Sequence, residues 1–444
     1  MSSGTVENWL AQRATSCPER LAVRAGGVDL TYAELEREAQ AAARRLAARG
    51  VGRGSTVAIE LRPGLDFAIL LHALMKLGAV AHPLSPRLTE RERARELEHA
   101  QPALVVRSAA DFEGAEADAP LLDEHDMDAV CCRLLTSGTS GTPRAVGLTY
   151  GNFLWSAVGS AFNLGVDPGD RWLCCLPLHH VGGLSILMRS VIYGTGAVIH
   201  EGFDVERVRE SLASDGITLV SLVATQLVRL LEAGVDLSGP RVLLVGGGPV
   251  PLAAIEEASA QGASVVQTYG MTETCSQVTT LAPSDARRKA GSAGRPLLTS
   301  RLRIADGEIL VQGPTVAPGA ASEDGWLHTG DLGRIDEEGF LWVEGRLGDL
   351  IVTGGENVMP DEVEEVLREH PAVADAAVVG RPDAEWQEAV TAVVVLRDGA
   401  EADAETLRAH CAARLAGFKV PKRFEFAAEL PRTSSGKLLR RALR

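Results

Sequence analysis

The sequence predicts an α/β protein: a large N-terminal domain of two helix-flanked mixed or parallel sheets plus a small antiparallel β unit, then a small α+β C-terminal domain. Three observations predict it. Apolar strand and helix patterns alternate in two series through the first two-thirds of the chain, which implies parallel strands covered by helices. After Tyr269 the pattern changes to short, turn-separated strands, as an antiparallel unit requires. At 444 residues the chain also exceeds one ordinary core and calls for two or three domains.

The first series places strands at Ser55–Leu61, Ala79–Leu84 and Ala103–Arg107, with helices at Leu65–Leu77 and Arg87–Ala100. The acidic stretch Ala109–Asp128 reads as a weakly structured surface loop, followed by a strand at Val130–Leu135. The second series places strands at Arg171–Leu176, Ala197–His200, Thr218–Val223, Val242–Val245 and Ser264–Thr268. Helices at Gly183–Tyr193, Val205–Ser214, Gln226–Ala233 and Leu252–Gln261 fall between them. Short strands follow at Arg301–Ile304, Glu308–Val311, Gly333–Asp336 and Phe340–Glu344. The last roughly 95 residues suffice for a separate α+β domain. It reads as helices Asp361–His370 and Ala404–Ala416 with strands Val373–Val379, Ala389–Leu396 and Phe424–Phe426.

Composition excludes several classes. Apolar residues make up 45% of the chain, and no apolar run approaches the ~18 residues of a membrane span. The first residues lack the basic-then-apolar pattern of a signal peptide. Seven cysteines, two pairs of them adjacent (Cys131-Cys132 and Cys174-Cys175), read as buried free thiols in a reducing cytoplasm. A net charge of −15 argues against general nucleic-acid binding. Against that trend, Arg414 to Arg444 holds nine Lys/Arg and two acids. This is either a solvated basic face or a local field for an anionic ligand.

Residues 134–144, Leu-Leu-Thr-Ser-Gly-Thr-Ser-Gly-Thr-Pro-Arg, carry the chemistry. Gly138 and Gly141 let the backbone approach a phosphate closely and aim N–H groups at it. Thr136, Ser137, Thr139, Ser140 and Thr142 add hydroxyls, and Arg144 adds a fixed charge. The glycine spacing and the missing lysine rule out a Walker loop. A flexible Ser/Gly linker is the alternative. Four further clusters follow. Tyr269-Gly270-Met271-Thr272-Glu273-Thr274 lies after a strand, where open α/β sheets bind ligands. Thr329-Gly330-Asp331 sets a carboxylate in a tight turn, suited to a ribose diol. Gly345-Arg346-Leu347-Gly348-Asp349 precedes Gly354-Gly355-Glu356-Asn357, and Thr433-Ser434-Ser435-Gly436-Lys437 carries a late lysine.

In this order and spacing the five clusters resemble the acyl-adenylate-forming superfamily of acyl-CoA synthetases, adenylation domains and luciferases, from Trp9 to Arg444. The resemblance implies a domain 1–346 that binds ATP and acid and a mobile domain 347–444 that carries the lysine. It implies two half-reactions: carboxylate and ATP give acyl-adenylate and pyrophosphate, then coenzyme A displaces AMP. The partners implied are small molecules (a carboxylic acid, ATP with Mg²⁺, and coenzyme A), and a homodimer is left open. Runs Gly183–Ser190, Gly270–Gln277, Leu281–Pro283 and Gly291–Pro296 resemble the branch that takes aromatic diacids. The acid implied is 2-succinylbenzoate, in menaquinone synthesis. Another acyl-CoA ligase, a carrier-protein-loading adenylation enzyme and a luciferase-like oxidase remain as alternatives.

The resemblance also implies roles. Thr136, Ser137, Gly138, Thr139, Ser140, Gly141 and Arg144 hold phosphates, and Gly246, Gly247 and Gly248 form a flat wall against adenine. Tyr269, Gly270 and Met271 line the nucleotide, Thr272 contacts the α-phosphate, and Glu273 holds Mg²⁺. Asp331 and Arg346 bind the ribose, and Lys437 bridges acyl carboxylate and α-phosphate. Asp349 is the hinge, and Gly354 and Gly355, equally readable as an ordinary turn, line the pantetheine channel. His180, Ser185, Arg189 and Gly270 meet the acyl group, Arg189 as receptor for a second carboxylate. Arg189 reads alternatively as a surface residue at a helix end, and His180 as a structural histidine. Three positions depart from the family pattern: Arg144 for lysine, Gly182 for a hydroxyl residue and Gly348 for a polar one.

Overall fold

The computed structural model describes residues 4–136, 144–353, 356–383, 386–433 and 438–444. Contacts gather the chain into two compact units, one of residues 1–302 and 311–327 and the other of 303–310 and 328–444.

The first unit holds two large sheets. The nine-stranded sheet runs Arg295–Pro296, Ser276–Thr280, Val265–Met271, Val242–Gly246, Leu219–Val223, Arg171–Cys174, Gly196–Ile199, Leu21–Ala25, Val28–Thr31. Its six central strands are parallel, and antiparallel strands close both edges. The central strands read as apolar runs because helices cover both faces. Leu173, Val220, Leu243 and Val265 pack there with Leu227, Leu230 and Ile255 from the helices. The five-stranded sheet runs Leu104–Val106, Thr56–Ile59, Val80–Pro83, Val130–Thr136, Arg144–Thr149, its last strand antiparallel. Helices Leu65–Leu77 and Val205–Ser214 keep the bounds predicted for them.

The acidic stretch Ala109–Asp128 holds two short elements that the sequence reading does not place: Ala109–Phe112 is a 3-10 turn, and strand Glu124–Asp126 pairs antiparallel with Thr5–Glu7. The pairing partner lies over a hundred residues away, so local composition carries no trace of it. The sequence reading also passes over strand Arg144–Thr149 and helix Tyr150–Leu164. That helix is buried on several sides, through Phe153, Ser156, Ala157, Gly159 and Ser160, so it lacks the one-sided period that marks an amphipathic helix. Its start is nevertheless written in sequence: Thr149 and Asn152 form a reciprocal capping box.

The second unit combines a four-stranded sheet, Arg301–Ala305, Glu308–Gln312, Leu327–Ile335, Leu341–Arg346, with a five-stranded one. The latter runs Glu356–Val358, Ile351–Thr353, Gln387–Leu396, Val373–Asp383, with Arg423–Phe426 added parallel to Gln387–Leu396. Helices Pro360–Arg368 and Ala404–Ala412 bury Val363, Leu367 and Leu407 against Val378, Val390 and Ala392. All seven cysteines are free, and all but Cys17 are buried.

Candidate active site

The phosphate-loop candidate is the connection of a β-hairpin. Thr136 ends one strand and stands opposite Arg144 at the start of the next, and the Thr136 hydroxyl donates to the Arg144 carbonyl at 3.1 Å. Ser137, Gly138, Thr139, Ser140 and Gly141 lie outside the described residues. Strand Arg144–Thr149 packs against the 3-10 turn Thr272–Thr274, which brings the neck of this hairpin to Thr272 and Glu273.

That turn is held under strain. Cys275 and Ser276 have φ of 50° and 88°, conformations costly for residues with a Cβ. A register shift falls between Tyr269 and Gly270, and a Cβ on Gly270 would meet the Ser276 carbonyl oxygen at 1.5 Å. Thr274 closes the turn: its hydroxyl donates to the carbonyls of Met271 and Ser276 and accepts the Met271 N–H at 3.0 Å. Tyr269, Gly270 and Met271 belong to the strand itself, whereas the sequence pattern ends that strand at Thr268. Strain of this kind at Cys275 and Ser276 gives no sequence signal, because neither is glycine or asparagine.

Gly246 ends the neighbouring parallel strand, and Gly247 and Gly248 follow it. A Cβ at Gly246 would press on Thr268 at 2.7 Å, and Gly247 has φ of +82°. A Cβ at Gly248 would meet nothing within 4 Å, so only there does the space remain open.

Helix Val181–Tyr193 brings together the acyl candidates. His180 is its N-cap residue, with its ring 4.4 Å from that of His179. Burial pushes His179 down to about 3 and His180 to about 4, so both rings are neutral near pH 7. Arg189 is 2% exposed, which removes the reading of a surface arginine at the helix end. Its Nη2 donates to Ser156 Oγ at 3.0 Å, Ser156 donates to the Cys275 carbonyl at 2.7 Å, and the guanidinium lies 5.8 Å from the Trp172 ring centre. No carboxylate pairs with it among the described residues, and its Nε has no partner there. Burial lowers its pKa accordingly. Ser185 Oγ, His179 Nε2 and both amide atoms of Gln277 are likewise buried without a partner among the described residues. Sequence reading missed His179, Ser156 and Gln277, whose types alone attract no notice.

In the second unit Asp331 and Arg346 do meet. Asp331 lies within strand Leu327–Ile335, not in the tight turn expected, and faces Arg346 across the antiparallel pair. Arg346 Nε reaches Asp331 Oδ1 at 2.7 Å, and Asp331 is 6% exposed. The glycine before it supplies the turn-like signal: Gly330 has φ of +69°, and its N–H donates to Glu308 at 2.8 Å. Asp349 ends the 3-10 turn Leu347–Asp349 that follows Arg346. Gly354, Gly355 and Lys437 lie outside the described residues.

The basic C-terminal segment is largely neutralised within its own unit. Arg414 pairs with Glu369, Lys419 with Glu362, Arg423 with Asp383 and Arg432 with Asp375. Arg440 pairs with Asp349, Asp361 and Glu364, Arg444 with Asp349, and Lys422 lies 4.7 Å from the Trp386 ring centre. The charge run is mostly a structural ion-pair network rather than an open positive field.

The neck of a hydroxyl- and glycine-rich hairpin packs on a strained turn that carries a carboxylate, the arrangement of a nucleotide-dependent enzyme, and the chain belongs to the AMP-binding enzyme family. It matches that family over residues 10–126 and 107–320, and the AMP-binding enzyme C-terminal domain over 362–437. More particularly, it is 40% identical to 2-succinylbenzoate–CoA ligases of Bacillus cereus and Bacillus mycoides, over 99% of this chain and 98% of each relative. Among solved structures, o-succinylbenzoate CoA synthetase from Bacillus subtilis with the acyl-adenylate OSB-AMP is similar with a TM-score of 0.94 at 40% identity, covering 99% of this chain and 98% of that one. ATP-bound MatB from Rhodopseudomonas palustris gives 0.92 at 29%, with the same coverages. Among the described residues, no helix is long and apolar enough to cross a membrane.

Proposed function

We propose that this chain is an AMP-forming acid–CoA ligase that activates 2-succinylbenzoate for menaquinone synthesis. The observation that carries the reading is the hairpin neck of Thr136 and Arg144 packed on the Thr272–Glu273 turn. In the first half-reaction a carboxylate oxygen attacks the α-phosphorus of ATP and pyrophosphate leaves. Charge grows on phosphate oxygens, so catalysis comes from positioning and fixed donors. The 136–144 hairpin receives the β- and γ-phosphates and Thr272 the α-phosphate. Glu273 supplies a hard oxygen donor with no ion pair among the described residues, which fits Mg²⁺ completed by phosphate oxygens and water. Asp331 accepts from the ribose hydroxyls, with Arg346 paired to it at 2.7 Å.

Lys437 neutralises the repulsion between the two anions as they meet. Rotation about Asp349 then withdraws it and presents Gly354 and Gly355 to the pantetheine arm, whose thiol displaces AMP. Domains 1–346 and 347–444 are the moving bodies in this reading. Neutral His179 and His180 flank the acyl group, and Ser185 and Arg189 bind it. Support for Arg189 as receptor of the second carboxylate is its burial without an acidic partner, a costly state that an anionic ligand relieves.

A pyrophosphate-release screen of aromatic mono- and dicarboxylic acids with ATP and Mg²⁺ tests the reading, with 2-succinylbenzoate expected to turn over fastest. Free coenzyme A should then yield acyl-CoA; transfer only to a phosphopantetheinyl carrier protein would shift the assignment to a loading enzyme. The reaction belongs in the cytoplasm, which cell fractionation checks. A homodimer is the assembly proposed, with Trp155, Phe162 and Val166 exposed at 44%, 76% and 41% as the covered face. Light scattering on the purified chain checks its mass.

A further inference from the structure

The described residues on either side of 434–437 are joined to each other. Arg432 and Leu438 form an isolated antiparallel bridge, and the Leu439 N–H donates to the Pro431 carbonyl at 2.8 Å. On the outgoing side Arg432 pairs with Asp375 of strand Val373–Asp383. On the returning side Leu438 and Leu443 pack on Ala377, Val393 and Leu430.

Arg440, three residues beyond Lys437, makes the strongest attachment. Its Nε and Nη2 donate to Glu364 at 3.0 and 2.9 Å, Nη2 donates also to Asp361, and Nη1 donates to Asp349 at 3.2 Å. The side chain is 13% exposed, and that of Glu364 is 2%. Three carboxylates gathered around one point repel one another unless a cation stands among them. A planar fork with five N–H donors serves three acids in fixed directions, which a compact, rotatable ammonium does not match. Arg444 adds a second donor to Asp349 at 3.1 Å. The apolar core of the unit, from Ile351 to Val420, is formed by other residues, so this clamp is not what folds it.

We propose that Arg440 is a positioning residue for the adenylation step: it fixes the chain from Leu438 onward, directly after Lys437, to the Asp349 turn and to helix Pro360–Arg368. The chain that follows Lys437 is thereby tied to the body that moves with the hinge. The proposal rests on the roles given above to Lys437 and Asp349.

The test compares the two half-reactions in full-length Arg440→Lys. This variant keeps the charge but loses the fork. A misaimed lysine should lower the rate constant of pyrophosphate release about 10- to 100-fold, because a displacement near 1 Å is worth that much. The KM for ATP should stay within about twofold, and acyl-CoA formation from supplied acyl-adenylate within about threefold, since only the first step uses the lysine. Arg432→Gln, on the more exposed side of that bridge, should show the same selectivity with a loss of about 3- to 10-fold. It serves if Arg440→Lys fails to fold. Wild-type adenylation in both variants, or equal losses in both half-reactions, would overturn the proposal. Absence of pyrophosphate release from the wild type with 2-succinylbenzoate would instead count against the proposed function.

Discussion

In the proposed reaction Arg189 concentrates substrate choice in one side chain. A charge-assisted hydrogen bond in a desolvated site is worth roughly 1.5–3 kcal/mol, or about 10- to 150-fold in catalytic efficiency. Arg189→Ala should therefore lose about that much with 2-succinylbenzoate and little with a monoacid analogue in pyrophosphate-release assays, while ATP binding holds. Equal losses for both acids would make Arg189 structural, a support for Ser156 and Trp172. Lys437→Ala should abolish adenylation, a loss of about 3 kcal/mol or at least a hundredfold, yet spare thioester formation from acyl-adenylate. Comparable losses in both steps would refute that role. The buried histidines set the response to acid. Burial depresses His72, His125 and His179 to about 3 and His180 to about 4, against an ordinary value of 6.5. The unfolded chain takes up protons below about pH 6.5 that the folded chain refuses until far lower. Stability is thus full above that pH and falls as pH drops toward 4. Calorimetry across this range should show Tm falling with pH, less steeply in His72→Phe; a flat profile would contradict the burial argument.

The element that matters most is the bulged hairpin of Val265–Met271 and Ser276–Thr280. Its tolerance is set by the approach of Gly270 to the Ser276 carbonyl, which leaves no room for a methyl group. Gly270→Ala must open the bulge, at a cost of about 1–3 kcal/mol typical of overpacking. Urea denaturation should register that loss. Pyrophosphate release should fall more than tenfold, because Thr272 and Glu273 hang on the same turn. Full activity in a destabilised variant would separate the bulge from catalysis. The Gly, Ser and Thr content of 134–144 marks a loop after strand Val130–Leu135, though not a hairpin. The strand that completes the hairpin was not legible, because the cluster Gly-Thr-Pro hides where pairing resumes.

At the scale of the molecule, the proposed rotation serves the second half-reaction and not the first. Proline fixes φ near −65°, so Asp349→Pro should freeze the proposed hinge. If adenylation survives, acyl-CoA production should collapse in a quench assay that follows both products. Asp349→Asn keeps backbone freedom but weakens the bonds from Arg440 and Arg444, and should retain both steps far better. Unchanged turnover in the proline variant would move the hinge elsewhere. Contacts group the four-stranded sheet mainly with the C-terminal elements, whereas the proposed rotation begins beyond Arg346. Compactness and motion need not divide a chain at the same residue.

Local chemistry by itself determined the alternation of strands and helices, the turn-rich second part and the order of the five motifs. Each depends on residues within a few positions of one another: apolar period, caps, and glycine where the backbone turns. Helices Leu65–Leu77 and Val205–Ser214 could be bounded to the residue for that reason. Only the tertiary structure decided which groups meet. Asp331 finds Arg346 through strand register, and Arg189 is buried against Trp172 and Ser156 from other elements. The basic tail spends most of its charge on Glu362, Asp375, Asp383, Asp349 and Glu364. Such partners lie from 15 to 91 residues apart, and no local pattern records a contact made by packing.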